Sequence, residues 1–561
     1  MSSPYPSLQT ADLPFPKIWD IKPSSDFQNA LEARFKPFQT THPGMLHFAK
    51  STKHSSFLRF DHKWHLDKFY DQVPQRSGPF SGRIRAFEDG NSTDELMDIS
   101  GFCKITHLLD AYKVIQGEYP MSQHPGLPAP GKQSAKVFGK IHDPSNQAYV
   151  DSVACYMLSK FREAGHSPHF SLFYGAYLAI ANEYYYNITE DFSDLRFESW
   201  FWKNQNQGLF SLVGFEGSRQ LDSTDELLET PDDLSSSSFS ESDLSEIHSP
   251  VSADLESLES VSIPTASEHS SSDYSDMSAD LQKNHAFFAV LPQFPTMLMF
   301  LESSQETMDS LLEHGCPNME VSHGSQEWED HWAAWLFQVI AALCQIQSLW
   351  AMTHNDLHSN NILWNKTDKE FLYYKGRDGR VWKVPTYGKI FRIIDFGRAI
   401  YTHNNVLCIS DDYLPDNEAG SQYNFGPIYD PAVERFYPNP SFDLCRLSVS
   451  IFEGLFEHIP EDKDGGGILS SEEDRVQRET VSPLFNLLWS WLIDEDGRNV
   501  LWNSDQSERY PGFDLYCVIA QKVKVAVPRD QLDNPLFAGF VISEQVPQQV
   551  PENEPVYSLF C

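Results

Sequence analysis

Two short polar motifs, each beside an apolar run, constrain this chain more than any other feature. The segment THNDLHSNNILW carries an H-x-D-x-x-x-x-N spacing on His354, Asp356 and Asn361. The segment IIDFG ends with the triplet Asp-Phe-Gly, whose aspartate is Asp395. Phosphoryl transfer needs a carboxylate near the attacking hydroxyl and oxygen ligands that hold magnesium on the nucleotide phosphates. Asp356 suits the first role, and Asn361 with Asp395 suits the second, so the two motifs predict a site for ATP and Mg²⁺.

Composition narrows the partners and the compartment. The 561 residues are 40% apolar and 13% aromatic, enough for a sizeable core, and carry a net charge of −37. This acidity argues against nucleic acid and anionic membranes as partners. Eight scattered cysteines without a CxxC pair indicate reduced thiols, hence a cytoplasmic or nuclear protein. The N-terminus MSSPYPSLQTADLPFP lacks a signal-peptide pattern, and with no run of 18 apolar residues we expect no membrane span.

The charge is concentrated in one internal segment. Residues 221–282 contain sixteen Asp and Glu and no Lys or Arg, and serine fills much of the remainder. Such a segment cannot bury enough apolar surface to offset the entropy lost on ordering, so we expect it to be disordered. A solvated spacer is the simpler interpretation. The alternative is a phosphorylatable tail, because serines followed by acidic residues suit acidophilic kinases.

The segment after this insertion has the pattern of a junction between two lobes. HAFFAVLPQ and PTMLMFLE are apolar runs of strand length separated by a predicted proline turn. The backbone from Met299 to Glu302 is our candidate hinge for hydrogen bonding to adenine. A long helical pattern then follows over EWEDHWAAWLFQVIAALCQIQSLWAM and leads directly into the His354 loop.

Between the two motifs the sequence predicts a β-hairpin. Phe371–Tyr374 and Arg380–Val384 are strand-like and flank a Gly-Arg-Asp-Gly turn. The hairpin and its continuation are basic, through Lys375, Arg377, Arg380, Lys383 and Lys389. A solvated face explains these charges most simply. A patch for an acidic substrate, or for the acidic insertion, is the functional alternative.

Helices are predicted after Asp-Phe-Gly. SFDLCRLSVSIFEGLF, residues 441–456, is amphipathic and begins near Asp443. This carboxylate could accept backbone N–H groups of the His354 loop, or it could simply favour the N-terminus of its own helix. SPLFNLLWSWLID is a second predicted helix, and the segment FDLYCVIAQKVKVAV would complete this part of the fold.

A phosphate-binding lysine is expected on a strand, paired with an acid on a helix. Two lysines qualify: Lys104 in ISGFCKI, after the predicted hairpin SGRIRAFEDGN, and Lys140 in KVFGKI. The sequence does not distinguish between them. Asp151, in the helical segment NQAYVDSVACYMLSKFREAG, is the first choice for the pairing acid, and Glu163 is the second. No G-x-G-x-x-G is present, and SGPFSG is the nearest glycine-rich stretch.

Taken together, the motif order and the wording HNDLHSNNIL, KVPTYGKIFRIIDFGRAI and SFDLCRL resemble a divergent protein-kinase-like superfamily, close to kinase-like proteins of protists, fungi and large DNA viruses. The resemblance implies an α+β, two-lobed protein-kinase-like fold with a small β-rich lobe and a large helical lobe. It divides the chain into an N-terminal extension (1–74), a small lobe with hinge and insertion (75–302), a helical large lobe (303–530) and a C-terminal tail (531–561).

The resemblance also carries a site and a function. His354, Asp356 and His358 are the candidate catalytic residues, and Asn361 and Asp395 the candidate metal ligands. It implies ATP- and Mg²⁺-dependent transfer of the γ-phosphate to Ser or Thr of proteins. A small-molecule acceptor stays open, because the His-x-Asp-Leu-His-x-x-Asn form is similar to kinases of the aminoglycoside and choline type. A pseudokinase that binds nucleotide as a scaffold stays open as well, because the glycine loop is missing.

Overall fold

The structure is a computed structural model of the whole chain, and it describes residues 16–560. Within that range the following are outside the description: 122–125, 130–136, 217–218, 221–284, 314–315, 320, 416, 418, 421–437, 464–478, 504–506, 543–549 and 552. The acidic segment 221–282 therefore lies outside the described residues, and its predicted disorder stays a prediction.

An antiparallel sheet of eight strands fills the first half of the mixed α/β fold. Its strands are β2 (Phe35–Gln39), β4 (Trp64–Phe69), β5 (Gly78–Glu88), β6 (Asn91–His107), β7 (Phe173–Asn187), β8 (Ser211–Glu216), β9 (Arg219–Gln220) and β10 (His285–Glu302); a separate pair joins β1 (Ile18–Asp20) to β3 (Leu58–Phe60). The main path of the sheet runs β2-β7-β10-β6-β5-β4, with β8 paired to β10 and β9 to β8. Apolar residues alternate along β5, as expected of a strand with one buried face.

This sheet corrects two expectations. Residues 16–74 are not an extension: β2 pairs with β7 and β4 pairs with β5, so these residues complete the sheet. The predicted proline turn in HAFFAVLPQFPTMLMFLE is also wrong, since β10 runs unbroken through Pro292 and Pro295. Gln293 between them adopts a left-handed φ of 51°, and the pairing with β7 continues on both sides. The predicted hairpin SGRIRAFEDGN is confirmed as β5 and β6.

Helices surround the sheet and form the second half of the molecule. The first half contributes α1 (Ser25–Glu32), α2 (Pro43–Phe48), α3 (Ala111–Gln116), α4 (Gly139–His142), α5 (Gln147–Glu163), α6 (Phe192–Leu195) and α7 (Ser199–Asn206). The second contributes α8 (Gln326–Trp350), α9 (Phe442–Leu455), α10 (Pro483–Trp491), α11 (Asp514–Lys522) and α12 (Pro528–Gln531). The three helices predicted after residue 325 are thus confirmed, with a shorter end for α10, and the segment FDLYCVIAQKVKVAV contains α11.

Helix α8 is the centre of the second half. Ser325 caps its N-terminus by accepting the Trp328 N–H, and Ala351 ends it in a left-handed conformation. Trp332, Trp335 and Trp350 are wholly buried. The helix is long and apolar enough to cross a membrane, but 94% of its most apolar 18-residue window is buried inside the fold. Its hydropathy is accounted for by a core position.

The strands of this half form small sheets, and one of these sheets includes the last two strands of the described chain. The strands are β11 (Glu306–Thr307), β12 (Ile362–Lys366), β13 (Phe371–Lys375), β14 (Val381–Pro385), β15 (Lys389–Ile393), β16 (Tyr401–His403), β17 (Val406–Cys408), β18 (Val541–Ile542) and β19 (Val556–Ser558). The predicted hairpin is confirmed as β13 and β14. The expected C-terminal tail is corrected, because β19 pairs with β13, β18 pairs with β14, and Leu559 is fully buried.

The basic residues of this hairpin are largely used within the fold. Arg380 lies in ion pairs with Asp378 and Asp533. The Lys383 ammonium lies 3.8 Å from the centre of the Phe371 ring. These contacts favour a structural role over a substrate patch.

Candidate functional site

Lys104 is the lysine that the fold brings to the site. It lies on β6 opposite Met299 of β10, and its side chain is 23% exposed. Its Nζ lies 2.7 Å from the Asp151 carboxylate and 2.8 Å from the Asp395 carboxylate. Burial alone would lower the pKa of Lys104, but the two carboxylates raise it well above its usual range. Lys104 is therefore a fixed positive charge between two acids.

Lys140, the alternative lysine, lies elsewhere. KVFGKI is not a strand, since Gly139–His142 forms the short helix α4 before α5. The Lys140 Nζ lies 3.0 Å from the Asp411 carboxylate and 3.3 Å from that of Asp412. Burial, followed by the neighbouring Asp412, raises the pKa of Asp411 to about 7. Lys140 thus connects the start of α5 to the chain that follows Asp-Phe-Gly.

Asp151 joins three parts of the site. It is buried on the second turn of α5, and besides binding Lys104 it accepts the Phe396 backbone N–H at 2.9 Å. The same carboxylate oxygen accepts a weak bond from the Cys155 thiol one turn later. Glu163, the second choice for the pairing acid, lies at the other end of α5, where it accepts the Lys63 backbone N–H. The geometry therefore selects Asp151.

Asp395 lies at the opening of the site. Its backbone is left-handed, with φ of 64°, and its side chain is 43% exposed. Burial acts to raise the pKa of Asp395, but the Lys104 charge outweighs it and lowers the pKa below its usual value. The next residue, Phe396, is buried with its ring 5.2 Å from that of His354. Asp395 is consequently an ionised carboxylate, and the burial of Phe396 beside it fixes the position of its backbone.

His354 is fully buried, and both of its ring nitrogens are engaged. Because Nε2 lies 2.8 Å from the Ile394 carbonyl, it must donate. Nδ1 accepts the Asp356 backbone N–H at 3.2 Å. This geometry corrects the expectation of a catalytic His354: the ring positions Asp356 and the start of Asp-Phe-Gly, with no nitrogen left for substrate.

Asp356 itself is only partly buried. Burial raises the pKa of its carboxyl, and the opposing effects of Arg446 and His354 do not cancel that rise. A carboxylate with a raised pKa is a better proton acceptor at neutral pH than an ordinary aspartate. Asp356 is thus a candidate base, and its backbone is held in place by the hydrogen bond to His354.

Asn361 and His358 form a small unit beside this base. The Asn361 amide nitrogen donates to the Asp356 carbonyl at 2.9 Å and lies 2.9 Å from His358 Nε2. Since the carbonyl can only accept, the amide orientation is fixed and its oxygen is left for a ligand. Burial and Arg446 lower the pKa of His358 to about 3. His358 is therefore a neutral acceptor that orients Asn361, which corrects its assignment as a catalytic residue.

The loop is held from below by α9. The buried Asp443 carboxylate accepts the backbone N–H groups of His354 at 3.0 Å and Asn355 at 2.9 Å. Of the two roles left open for Asp443, the structure selects the bond to the loop. Asn355 has a left-handed φ of 64°, so the loop depends on these bonds to stay in a conformation that non-glycine residues seldom adopt.

A cleft of about 490 Å³ extends from Lys104, Asp151 and Asp395 to the end of β10. Leu301, Glu302 and the following residues through Thr307 line its far end. Of the predicted hinge, Leu301 and Glu302 line this cleft. Met299 does not line it, because it is fully buried and paired on both sides, to Lys104 and to Ala176. The accessible backbone begins only where the strand ends.

The Glu302 side chain is not available for a ligand. It lies in ion pairs with Arg162 at the end of α5 and with Arg392 on β15, and this outweighs burial so that its pKa is lowered. Near it, the Ser304 hydroxyl is buried in the cleft wall without a hydrogen-bond partner among the described residues.

The loop between β4 and β5, residues 70–77, is held against the sheet by several contacts. Arg34 donates to the Val73 carbonyl at 2.9 Å, Gln75 donates to the Tyr185 hydroxyl at 2.7 Å, and Arg76 lies over the Phe215 ring. The loop contributes Ser77 to the cleft. Neither Gly78 nor Gly82 belongs to it, since both lie in β5.

The residues present fit a magnesium ion. Asp395 supplies a charged oxygen and Asn361 a neutral one, and hard oxygen donors are what Mg²⁺ prefers. The two are adjacent because the Ile394 N–H donates to the Asn361 carbonyl at 3.0 Å. In the described part of the chain, no group of three or more His, Cys, Asp or Glu forms a metal cluster.

Sequence reasoning missed several residues that surround the candidate site. Asp411, Asp412 and Arg446 were not singled out, because each gains its role from a contact distant in sequence. Ser304 was missed as well, since no residue pattern marks it. The consecutive aspartates shortly after Asp-Phe-Gly were the one signal in the sequence.

In the comparisons with known proteins, no family model matches the chain, and no curated protein matches it either.

Proposed function

We propose that this protein is an ATP- and Mg²⁺-dependent phosphotransferase of the protein-kinase-like, two-lobed type, acting on Ser or Thr of proteins. The observation that carries the proposal is Lys104, held 2.7 Å from Asp151 and 2.8 Å from Asp395 at one end of a large cleft. A strand lysine, a helix acid and the Asp-Phe-Gly carboxylate in mutual contact are the parts that phosphoryl transfer from ATP requires. The two halves of the molecule would be the two lobes.

The chain's own groups can perform the reaction as follows. Lys104 holds the phosphates, and Asp151 keeps the lysine in place. Asp356 orients the acceptor hydroxyl. The hydroxyl oxygen bonds to the γ-phosphorus as the bond between that phosphorus and ADP breaks, and Asp356 receives the hydroxyl proton late in this step. Asn361 and Asp395 would hold Mg²⁺, which supplies positive charge beside the phosphates when bound.

One specific observation favours a second candidate, a nucleotide-binding scaffold without catalysis. Residues 70–77 lack glycine and are fastened to the sheet by Arg34, Gln75 and Arg76. Without a loop closing over the phosphates, catalysis depends more strongly on Lys104 and the metal ligands. The presence of Asp356, Asn361 and Asp395 still favours the enzyme.

The deciding experiment measures ADP release and phosphoprotein formation by the full-length protein with ATP and Mg²⁺. Peptides, its own serines and small hydroxylated molecules serve as acceptors. Asp356→Asn keeps the size of the side chain and loses its charge, so we expect transfer to fall ~100-fold or more. Its affinity for Mg²⁺-ATP should change less than about tenfold, or ~1.4 kcal/mol. Asp395→Ala should instead remove the Mg²⁺-dependent thermal stabilisation by ATP.

Asp98→Asn provides a matched control. Asp98 is an exposed carboxylate on β6 that bonds the Tyr70 hydroxyl, outside the cleft, so this variant should behave as wild type. Turnover by Asp356→Asn at the wild-type rate would refute the assignment of the base. If the wild-type protein binds nucleotide but transfers phosphate to no acceptor, water included, the proposal of a nucleotide-binding scaffold would replace the proposal of an enzyme.

A further inference from the structure

The segment after Asp-Phe-Gly contacts the first turn of α5 through Asp411. This residue follows β17 and is 3% exposed. Its backbone N–H donates to the Ser145 carbonyl at 2.7 Å, and its carboxylate accepts the Gln147 N–H at 3.3 Å. Gln147 is the first residue of α5, so its N–H is one of the donors that have no partner within the helix. Asp411 thus bonds the chain on both sides of the helix start.

A lysine of α4 completes this contact. The Lys140 ammonium lies 3.0 Å from the Asp411 carboxylate and 3.3 Å from that of Asp412. The second carboxylate oxygen of Asp412 has no hydrogen-bond partner among the described residues. The two neighbouring acids therefore share one lysine, and within the described chain it is Asp411 that also bonds α5.

The helix start is held from a second direction by its N-cap, Asn146. The Asn146 amide nitrogen donates at 3.0 Å to the carbonyl of Leu108, the residue that follows β6, and its oxygen accepts the Ala148 N–H at 3.1 Å. Lys104 lies on that same strand. The start of α5 is therefore fixed between the strand that carries Lys104 and the segment that carries Asp411.

The first two turns of α5 connect this attachment to the candidate site. Gln147 and Asp151 are four residues apart, so both lie on one face of the helix. The Gln147 side chain packs closely on Gly397, where an added Cβ would lie 3.0 Å from the Gln147 Cγ. Asp151 accepts the Phe396 N–H and pairs with Lys104. The position of the helix start thus decides whether Asp151 reaches Lys104.

We propose that Asp411 is a positioning residue, which fixes the start of α5 so that Asp151 is held against Lys104 and Phe396. The segment after Asp-Phe-Gly and the phosphate-binding lysine are then connected through the helix. Displacement of Asp411 weakens the contacts of Asp151 and, through Lys104, the binding of nucleotide phosphates. The effect on nucleotide rests on the proposed phosphotransferase function, whereas the effect on Asp151 can be measured without nucleotide.

Asp411→Ala removes both side-chain contacts of Asp411, and Asp412→Ala is its matched control, because each variant leaves Lys140 one carboxylate. Amide hydrogen exchange without nucleotide reports on Asp151 through the Phe396 N–H that it accepts. Exchange at Phe396 should be about tenfold faster in Asp411→Ala and unchanged in Asp412→Ala. The affinity for Mg²⁺-ATP should weaken about tenfold in Asp411→Ala and stay at the wild-type value in Asp412→Ala.

A second pair of variants tests the same bond from the helix side. Gln147→Pro removes the N–H that Asp411 accepts, and proline is well suited to the first position of a helix. Gln147→Ala keeps this N–H and loses the same side chain. Exchange at Phe396 should therefore be faster in the proline variant than in the alanine variant.

Amides of β7 serve as the reference for global stability in every variant. Equal exchange at Phe396 in wild type and Asp411→Ala, or an equal rise at Phe396 and in β7, would overturn the proposal. If Asp411→Ala does not fold, the two variants at Gln147 decide, and equal exchange in them refutes the role of Asp411. The expected exchange pattern in a protein that binds no Mg²⁺-ATP would instead refute the proposed function and leave the role of Asp411 intact.

Discussion

The contact between Lys104 and Asp151 should be one of the most strongly coupled pairs in the molecule. Asp151→Leu removes the carboxylate, at 2% side-chain exposure, that binds Lys104 at 2.7 Å and the Phe396 N–H at 2.9 Å. At an effective dielectric constant of 20, the gross attraction at that distance is about 6 kcal/mol, most of which desolvation offsets. Asp395 continues to balance Lys104, so we assign about 2 kcal/mol to the broken pair. The lost Phe396 bond adds about 1 kcal/mol.

A double-mutant cycle measures this coupling without needing any activity. Urea unfolding followed by tryptophan fluorescence gives the free energy of unfolding for wild type, Asp151→Leu, Lys104→Met and the double variant. The first substitution should cost about 3 kcal/mol, and the double variant should lose about 2 kcal/mol less than the sum of the two singles. This follows because replacing a whole buried pair by apolar residues leaves no charge unpaired.

The surface pair Arg380 and Asp378 provides the comparison. Their side chains are 40% and 48% exposed, so a cycle on them should give a coupling below ~1 kcal/mol. If the Lys104–Asp151 cycle is additive within about 0.5 kcal/mol, the two side chains do not interact as the geometry requires. The site would then have to be built around another lysine.

Three further outcomes follow from the same network. His358→Gln should weaken Mg²⁺-dependent nucleotide binding by misorienting Asn361, and the pH–rate profile of wild type should show no limb from His358 between pH 5 and 8, because its pKa is about 3. Lys140→Met leaves two buried carboxylates without their cation, so it should lower the free energy of unfolding by about 3 kcal/mol in urea titrations, and a change under ~1 kcal/mol would argue against the contact. Stability should fall as pH drops from about 6.5 towards 3, because the unfolded chain protonates histidines that stay neutral in the fold; His169→Gln should flatten the slope of melts against pH by up to ~1.4 kcal/mol per unit, whereas an unchanged slope would mean that its pKa is not depressed to about 4.

Local pattern was enough to predict much of the second half. The helices around Trp335 and Asp443 and the hairpin of Phe371 were predictable because their apolar periodicity and turn residues act over a few positions. The motif spacing likewise placed Asp356 and Asn361 on one short loop, where few residues separate them. These are properties that neighbours in sequence decide.

Other assignments depended on contacts that only the folded chain makes. Lys104 and Lys140 look equivalent in sequence, yet one lies in a strand facing Asp151 and the other in a helical turn facing Asp411, 271 residues away. Residues 16–74 were placed outside the fold because no local signal announces that β2 will pair with β7.

The sequence by itself determined which chemical groups are available: a candidate base, two metal ligands and an acid on a helix. Only the tertiary structure decided which lysine they surround and that His354 and His358 orient rather than react. The physical reason is that hydrogen bonds, ion pairs and burial depend on distances between elements, and the sheet pairing that sets those distances joins residues more than a hundred positions apart.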